Sequence, residues 1–341
     1  SQVTTVPKDY NYYYNDATKL DFTIYLKGNY QFASALNGFL DVQYRNIGYQ
    51  TTGNDNRQNV FDVDVQYSFF NPKVGLTYDL GSGQSLYASY AVANREPVRK
   101  DFVYNPQNET PRHETLGNLE AGFRKQSDRM MLNVNMYWMN YNDQLVLTGA
   151  LNDVGAAIRT NVDKSYRLGI EIDGSIKLSE KFAWDANLTL SRNKIQEFSE
   201  ILYDYGIDFD QCNVITRTFR NTDISFSPSI IAGSVFRYMP TQVAEISLLT
   251  KYVGRQFMDN TSNASRQLDA YLTNDVRVSY AFIPKFMKEL RLNLLVNNVF
   301  DVAYESNGYT WGYLGGGQEF RENYYYPQAG RHFMLMLSAR F

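Results

Sequence analysis

Between positions 95 and 101 stand Arg95, Glu96, Arg99 and Asp101. A guanidinium presents paired N–H groups that fit a carboxylate or another oxyanion in bidentate fashion. The four residues could therefore line a charged rim that contacts an anionic ligand. They could equally form a salt-bridge network at the base of a loop or against a neighbouring domain, and the structural use is favoured. A second set is aromatic: Tyr309, Trp311, Tyr313, Tyr324, Tyr325 and Tyr326. Such rings stack on planar or ring-shaped ligands, or on one another; loop packing or an interfacial girdle explains them about as well.

Other chemistry is thin. No nucleophile–histidine–carboxylate set is visible, and the chain is expected not to be an enzyme. The only histidines are His113 and His332, and Cys212 is the single cysteine. That excludes an intrachain disulfide and a cysteine-built metal site. Asp204, Asp208 and Asp210 lack the spacing of a calcium loop. Gly315–Gly317 does not follow a strand, so it suits a flexible tip better than a phosphate cradle. No cofactor or metal site is expected.

What positions these residues is a set of long two-faced strands. The 341 residues carry 33 Lys+Arg and 36 Asp+Glu, a net charge of -3, which gives no basic surface for nucleic acid. Aromatic residues, 28 Tyr, 21 Phe and 3 Trp, make up 15%. No apolar run is long enough for a membrane helix, and mean hydropathy is -0.43. The first residues show no signal peptide.

Period-2 alternation dominates instead. Met130, Leu132, Val134, Met136 and Trp138 alternate with Asn133, Asn135 and Tyr137; Leu292 and Leu294 alternate with Arg291 and Asn293. The pattern predicts about thirteen strands, near 20–33, 36–51, 60–79, 84–93, 115–125, 129–148, 161–178, 182–197, 223–238, 243–257, 270–282, 289–300 and 331–341. Tight turns such as 80–84, 125–129, 178–181 and 238–242 join them in pairs. Long polar loops, 94–114, 149–160, 198–222, 258–269 and 301–329, separate the pairs. Short turns at one end, long loops at the other and strands of spanning length suit an outer-membrane barrel. A soluble sandwich or propeller is the alternative, but its strands average about 5–6 residues.

The motifs sharpen this. "LRLNLLVNNVFDVAYESNGYTW" (290–311) resembles the near-terminal signature of TonB-dependent outer-membrane receptors, with Asn297, Asn298, Phe300, Asp301 and Tyr304 in the Asn-Asn-x-Phe-Asp-x-x-Tyr positions. The terminal strand ends on Phe341, as these receptors commonly do. Arg95, Pro97, Glu120 and Gly122 match an R-x-P loop and a returning Glu-x-Gly strand. Tyrosine-rich stretches such as "ENYYYPQAGRHF" are similar to those of Bacteroidetes-type receptors. The haem-uptake boxes that would accompany a ligating His113 are degraded here to "NREP" and "YNPQ".

The resemblance implies an all-β transmembrane antiparallel barrel in the outer membrane of a Gram-negative bacterium. Residues 1–341 would be the C-terminal portion of the barrel, a single incomplete domain. About thirteen strands of an expected 22 are present, and the plug domain is absent from this chain. At about 25 residues per strand, the whole barrel would need roughly 550 residues. The implied function is TonB-energised uptake of a scarce, bulky nutrient, first a ferric siderophore or other iron complex, then cobalamin, an oligosaccharide or a peptide. The implied partners are outer-membrane lipid, the barrel-assembly machinery, a small-molecule ligand, and TonB–ExbB–ExbD through the plug. A passive porin and a soluble carbohydrate-binding module are the rival readings.

Overall fold

Alternating apolar and polar side chains extend into strands whose two faces meet different surroundings, and the computed structural model is built almost wholly from them. It describes residues 7–55, 60–103, 110–151 and 157–341. The strands are β1 (Tyr14–Ala33), β2 (Leu36–Asn54), β3 (Val60–Gly81), β4 (Gln84–Arg95), β5 (Glu114–Gln126), β6 (Met130–Leu151), β7 (Ala157–Lys177), β8 (Phe182–Asp204) and β9 (Asn213–Asp223). They continue as β10 (Ile230–Thr241), β11 (Ala244–Val253), β12 (Gln256–Phe257), β13 (Gln267–Leu268), β14 (Tyr271–Phe282), β15 (Glu289–Asn297), β16 (Glu305–Gly315), β17 (Gln318–Pro327) and β18 (His332–Arg340). One short helix, α1 (Arg99–Val103), follows β4.

Thirteen strands form one antiparallel wall in the order β1-β2-β3-β4-β5-β6-β7-β8-β10-β11-β14-β15-β18. The expected number is therefore found, with one strand displaced: the segment expected at 223–238 is β10, starting at Ile230. Among the described residues, β1 and β18 pair on one edge only. With an odd number of antiparallel strands these two edges run parallel to each other.

Register fixes the faces, because directly opposed residues in an antiparallel pair point the same way. Leu294 sits opposite Val278 and Leu335, and Leu292 opposite Tyr280 and Leu337. Across the wall Val134 faces Ile172, which faces Leu188, which lies in the row of Ala232. This face is open: Leu335 is 69% exposed, and Leu294, Met136 and Trp138 are exposed as well. The opposite face is polar and internally bonded. Tyr87 Oη donates to Asn135 at 2.8 Å, Asn135 reaches Glu171 at 3.3 Å, and Arg277 pairs with Glu245 at 2.8 Å.

The tight turns have a backbone cause. Ser82 and Gly83 both have positive φ, and a Cβ on Gly83 would sit 2.1 Å from the Gln126 carbonyl oxygen. Glycine is the residue that meets both conditions.

Two of the expected long loops are strands instead. β8 runs on to Asp204 and pairs with β9, so 198–222 is a hairpin. The 301–329 segment is the β16–β17 hairpin, while 258–269 remains a loop whose base is closed by the short β12–β13 pair. β6 and β7 also extend into 149–160, of which 152–156 lie outside the described residues. The alternation slips in these extensions. On β8 the buried set changes from Asn193 and Ile195 to Phe198, Glu200 and Leu202. Asn221 on β9, within the slip, has φ 54°, and Asp143, at the matching slip on β6, has φ 53°. Asn and Asp enter the left-handed region more easily than other side chains. Above the slips a small core forms from Val146, Val162, Ile195, Phe198 and Ile224.

Candidate ligand-binding site

The hairpins at this end form a cap held by buried charge. Arg266, 4% exposed, donates to Glu200 at 2.7 Å and Asp259 at 2.8 Å. Arg321 on β17 reaches the same Glu200 at 2.8 Å and Glu319 at 2.9 Å, while Arg217 on β9 pairs with Glu319 at 2.6 Å. Three guanidiniums and three carboxylates thus join the β8–β9 hairpin, the β12–β13 loop and the β16–β17 hairpin. Burial by itself would lower the Arg266 pKa, but Asp259 and Glu200 hold it above its ordinary value. Burial likewise opposes ionisation of Glu319, yet hydrogen bonds from Arg217 and Arg321 bring its pKa below the usual glutamate value. The docking face of β16 carries Gly308, where a Cβ would meet Met258 Sδ at 2.8 Å. Glycine there lets the hairpin lie against the loop.

Beside this cap is a cavity of ≈ 250 Å³ whose lining includes Arg95, Arg159, Arg167, Glu114 and Tyr141. Its floor is Glu114, buried, which accepts from the Leu145 N–H at 2.6 Å and pairs with Arg95 at 2.9 Å. Burial nonetheless dominates and raises the Glu114 pKa above the usual range. Arg159 lies 3.8 Å from Asp101, and Arg167 donates to Ser227 at 3.0 Å. Three arginines around one buried carboxyl leave the cavity net positive, a surrounding suited to an anionic group.

The cluster expected at 95–101 is split. Only Arg95 lines the cavity. Glu96 turns to Arg45 at 3.0 Å and Lys19 at 2.8 Å on the polar face of the wall. Arg99 lies over the Phe61 ring, and Asp101 accepts from the Val98 N–H at 2.8 Å at the start of α1. Those three lie outside the cavity lining. The aromatic set is also divided: Tyr309 stacks on Tyr324 with ring centroids 4.7 Å apart, Trp311 leans on Tyr313, and Tyr326 joins Tyr309. Tyr325, opposite Gly308, belongs to the other face of the hairpin. Phe320, Tyr205 and Phe209 complete the stack around Tyr313.

The motif residues near the C-terminus tie strand ends together. Asn298, buried with φ 49°, exchanges two 2.9 Å hydrogen bonds with Val302, and its N–H donates to Asp275. Asp301, φ 57°, accepts from the Arg331 N–H at 2.7 Å. Tyr304 packs on Tyr271, Asn297 pairs with His332, and Phe300 and Phe341 are exposed. His113 packs edge-on against Tyr67, and Cys212 is exposed. Asp204 caps the Gly206 N–H, and Asp208 and Asp210 face solvent. Among the described residues no cluster of His, Cys, Asp or Glu could hold a metal. Gly316 and Gly317 have φ 57° and 77°, as the two-residue turn of a hairpin requires. Residues 104–107, "YNPQ", lie outside the described residues.

Arg159, Arg167, Arg266 and Glu200 were not visible as site residues in the alternation. Opposite charges at Glu200 and Arg217 could have suggested a hairpin across 198–222, since the two are register partners.

Comparison with known proteins places this architecture. A family model described as TonB dependent receptor-like, beta-barrel, matches residues 1–299. No curated protein matches the chain in sequence. Among solved structures, the siderophore receptor PiuA from Acinetobacter baumannii superposes with a TM-score of 0.72 at 16% identity, covering 96% of this chain and 44% of that one. The ferric-catecholate import receptor Fiu from E. coli K12 gives 0.68 at 17% identity, covering 96% and 45%. The ferric yersiniabactin uptake receptor FyuA from Yersinia pestis gives 0.68 at 15% identity, covering 96% and 46%. The chain therefore spans less than half the length of each of these receptors.

Proposed function

The chain belongs to the TonB dependent receptor-like β-barrel family, and from that premise we propose that it forms the C-terminal part of an outer-membrane uptake receptor in a Gram-negative, Bacteroidetes-type bacterium. Its wall would contribute thirteen strands to a 22-stranded barrel. The plug and its contact with TonB–ExbB–ExbD would lie in the remaining part of the protein. The observation that carries this reading is the two-faced wall, with apolar rows open on one side and a bonded polar face on the other. Such a wall suits lipid outside and a hydrated lumen inside. The last strand, ending on Phe341, is what the barrel-assembly machinery would engage.

The cargo is a scarce, bulky, anionic nutrient, first a ferric siderophore or related iron complex. The cationic cavity at Arg95, Arg159 and Arg167 supports this choice, since it offers several guanidinium donors at the mouth of the barrel. Cobalamin, an oligosaccharide or a peptide are the alternatives. The aromatic hairpin then forms part of the extracellular rim. Growth of a deletion strain on single iron sources tests the reading: loss of growth on one ferric chelate, restored by the gene, is expected. Normal growth of the deletion strain on every chelate and every alternative cargo would sink the uptake function.

A further inference from the structure

The apolar face of the wall does not end in neutral residues everywhere. Up β6, β7 and β8 the open rows run Met136–Ile170–Leu190, then Trp138–Leu168–Arg192, then Asn140–Tyr166–Lys194, then Asn142–Lys164. Opposed residues share a face, so Arg192, Lys194 and Lys164 stand on the same side as Trp138 and Leu168. That side is the lipid-facing one in the reading above, on which this inference rests. The three cations occupy successive rows, about 7 Å apart along the strands: Arg192 stands in the row of the exposed Trp138 and Leu168, and Lys194 and Lys164 lie beyond it. Arg192 and Lys164 are exposed and make no hydrogen bond or ion pair among the described residues. Lys194 is paired with Asp223 at 2.8 Å. Asp143 and Asp163, close in sequence to Lys164 or its register partner Asn142, are both engaged by Arg112.

β7 and β8 are hydrogen-bonded on both edges, so additional strands of a larger barrel would extend the wall sideways and leave this face open. Two unneutralised cations and a tyrosine thus border the apolar belt at the hairpin end. At that height the surroundings are lipid headgroups, and tyrosine and tryptophan favour the same layer. We propose that this patch on β7 and β8 binds the phosphate groups of an anionic, phosphorylated lipid in the outer leaflet. The acyl chains would lie on Trp138, Leu168, Ile170 and Leu190, and the headgroup against Arg192, Tyr166 and Lys164. A cation near an anionic membrane surface strengthens attraction about fivefold, so the two free cations together give roughly 25-fold.

Native mass spectrometry of the intact protein in detergent, titrated with bisphosphoryl lipid A, tests the proposal. The double variant R192Q/K164Q should bind about 25-fold more weakly than wild type, whereas K285Q, in an exposed turn elsewhere, should match wild type. Fully dephosphorylated lipid A should bind wild type and R192Q/K164Q alike, and inorganic phosphate should not compete. Equal binding of the phosphorylated and dephosphorylated lipids by wild type would overturn the proposal. So would an unchanged R192Q/K164Q, or displacement by millimolar phosphate, which would mark a soluble-anion site. Insertion into neutral phosphatidylcholine vesicles separates the two layers of argument. A wild type that inserts but ignores the phosphates refutes this site alone; one that does not insert refutes the lipid-facing wall as well.

Discussion

The wall and the cap use the same strands and bury opposite things. Below the slips at Asp143 and Asn221, the strands leave their leucines and isoleucines open and bond their polar side chains to one another. Above them, Phe198 and Leu202 turn inward beside Glu200, and the charged groups are the buried ones. A wall that faces lipid can leave apolar rows unpacked because hydrocarbon covers them. A cap surrounded by water must pack itself, and its neutral cluster of three arginines and three carboxylates supplies the lock between hairpins. The two regions should therefore fail separately.

The largest effect is expected in the cap. Arg266→Met leaves Asp259 buried without its cation and Glu200 with Arg321 alone, which costs on the order of 3–5 kcal/mol. Hydrogen exchange should show lost protection in residues 256–268 and 305–327, with the wall strands unchanged. In the wall, Leu294→Arg places a charge on the lipid side, for about 2–4 kcal/mol, whereas Asn293→Arg on the polar face should stay near wild type. Urea titration of protein folded into lipid vesicles measures both, and equal costs would erase the distinction between faces. Arg159→Gln should weaken binding of an anionic chelate by roughly 1.5 kcal/mol, the scale of one charged hydrogen bond, without altering wall stability; calorimetric titration reads it.

Acid should separate the regions more gently. The Glu319 pKa is lowered in the folded cap, so its ionisation supports folding above the ordinary glutamate value of about 4.3. That support is lost as pH falls through the lower folded value. Exchange in β16 and β17 should therefore rise below about pH 4, before the wall strands respond.

The sequence exposed the wall more fully than the cap, for a physical reason. Period 2 is legible where one face meets a uniform surrounding, as at Leu290, Leu292, Leu294 and Val296 on β15. In β8 the alternation breaks at the slip, and residues 198–204 therefore resemble loop although they are strand. The motif at 297–304 was legible through its resemblance to a family signature, and Asn298 and Asp301 within it take left-handed backbone that few other residues tolerate. Arg95 was found as one member of a local cluster. Arg159 and Arg167 were not, because the cavity is assembled from β4, β5, β6 and β7, and no local spacing records that assembly.

The most direct test is site-directed spin labelling along β15, with Cys212 first replaced by serine so that no native thiol competes. Labels at positions 292, 294 and 296 should be accessible to oxygen dissolved in the bilayer and shielded from a water-soluble nickel reagent, while labels at 291, 293 and 295 should show the reverse. Uniform access along the strand, or oxygen access at the odd positions instead, would contradict a wall with hydrocarbon on its leucine face.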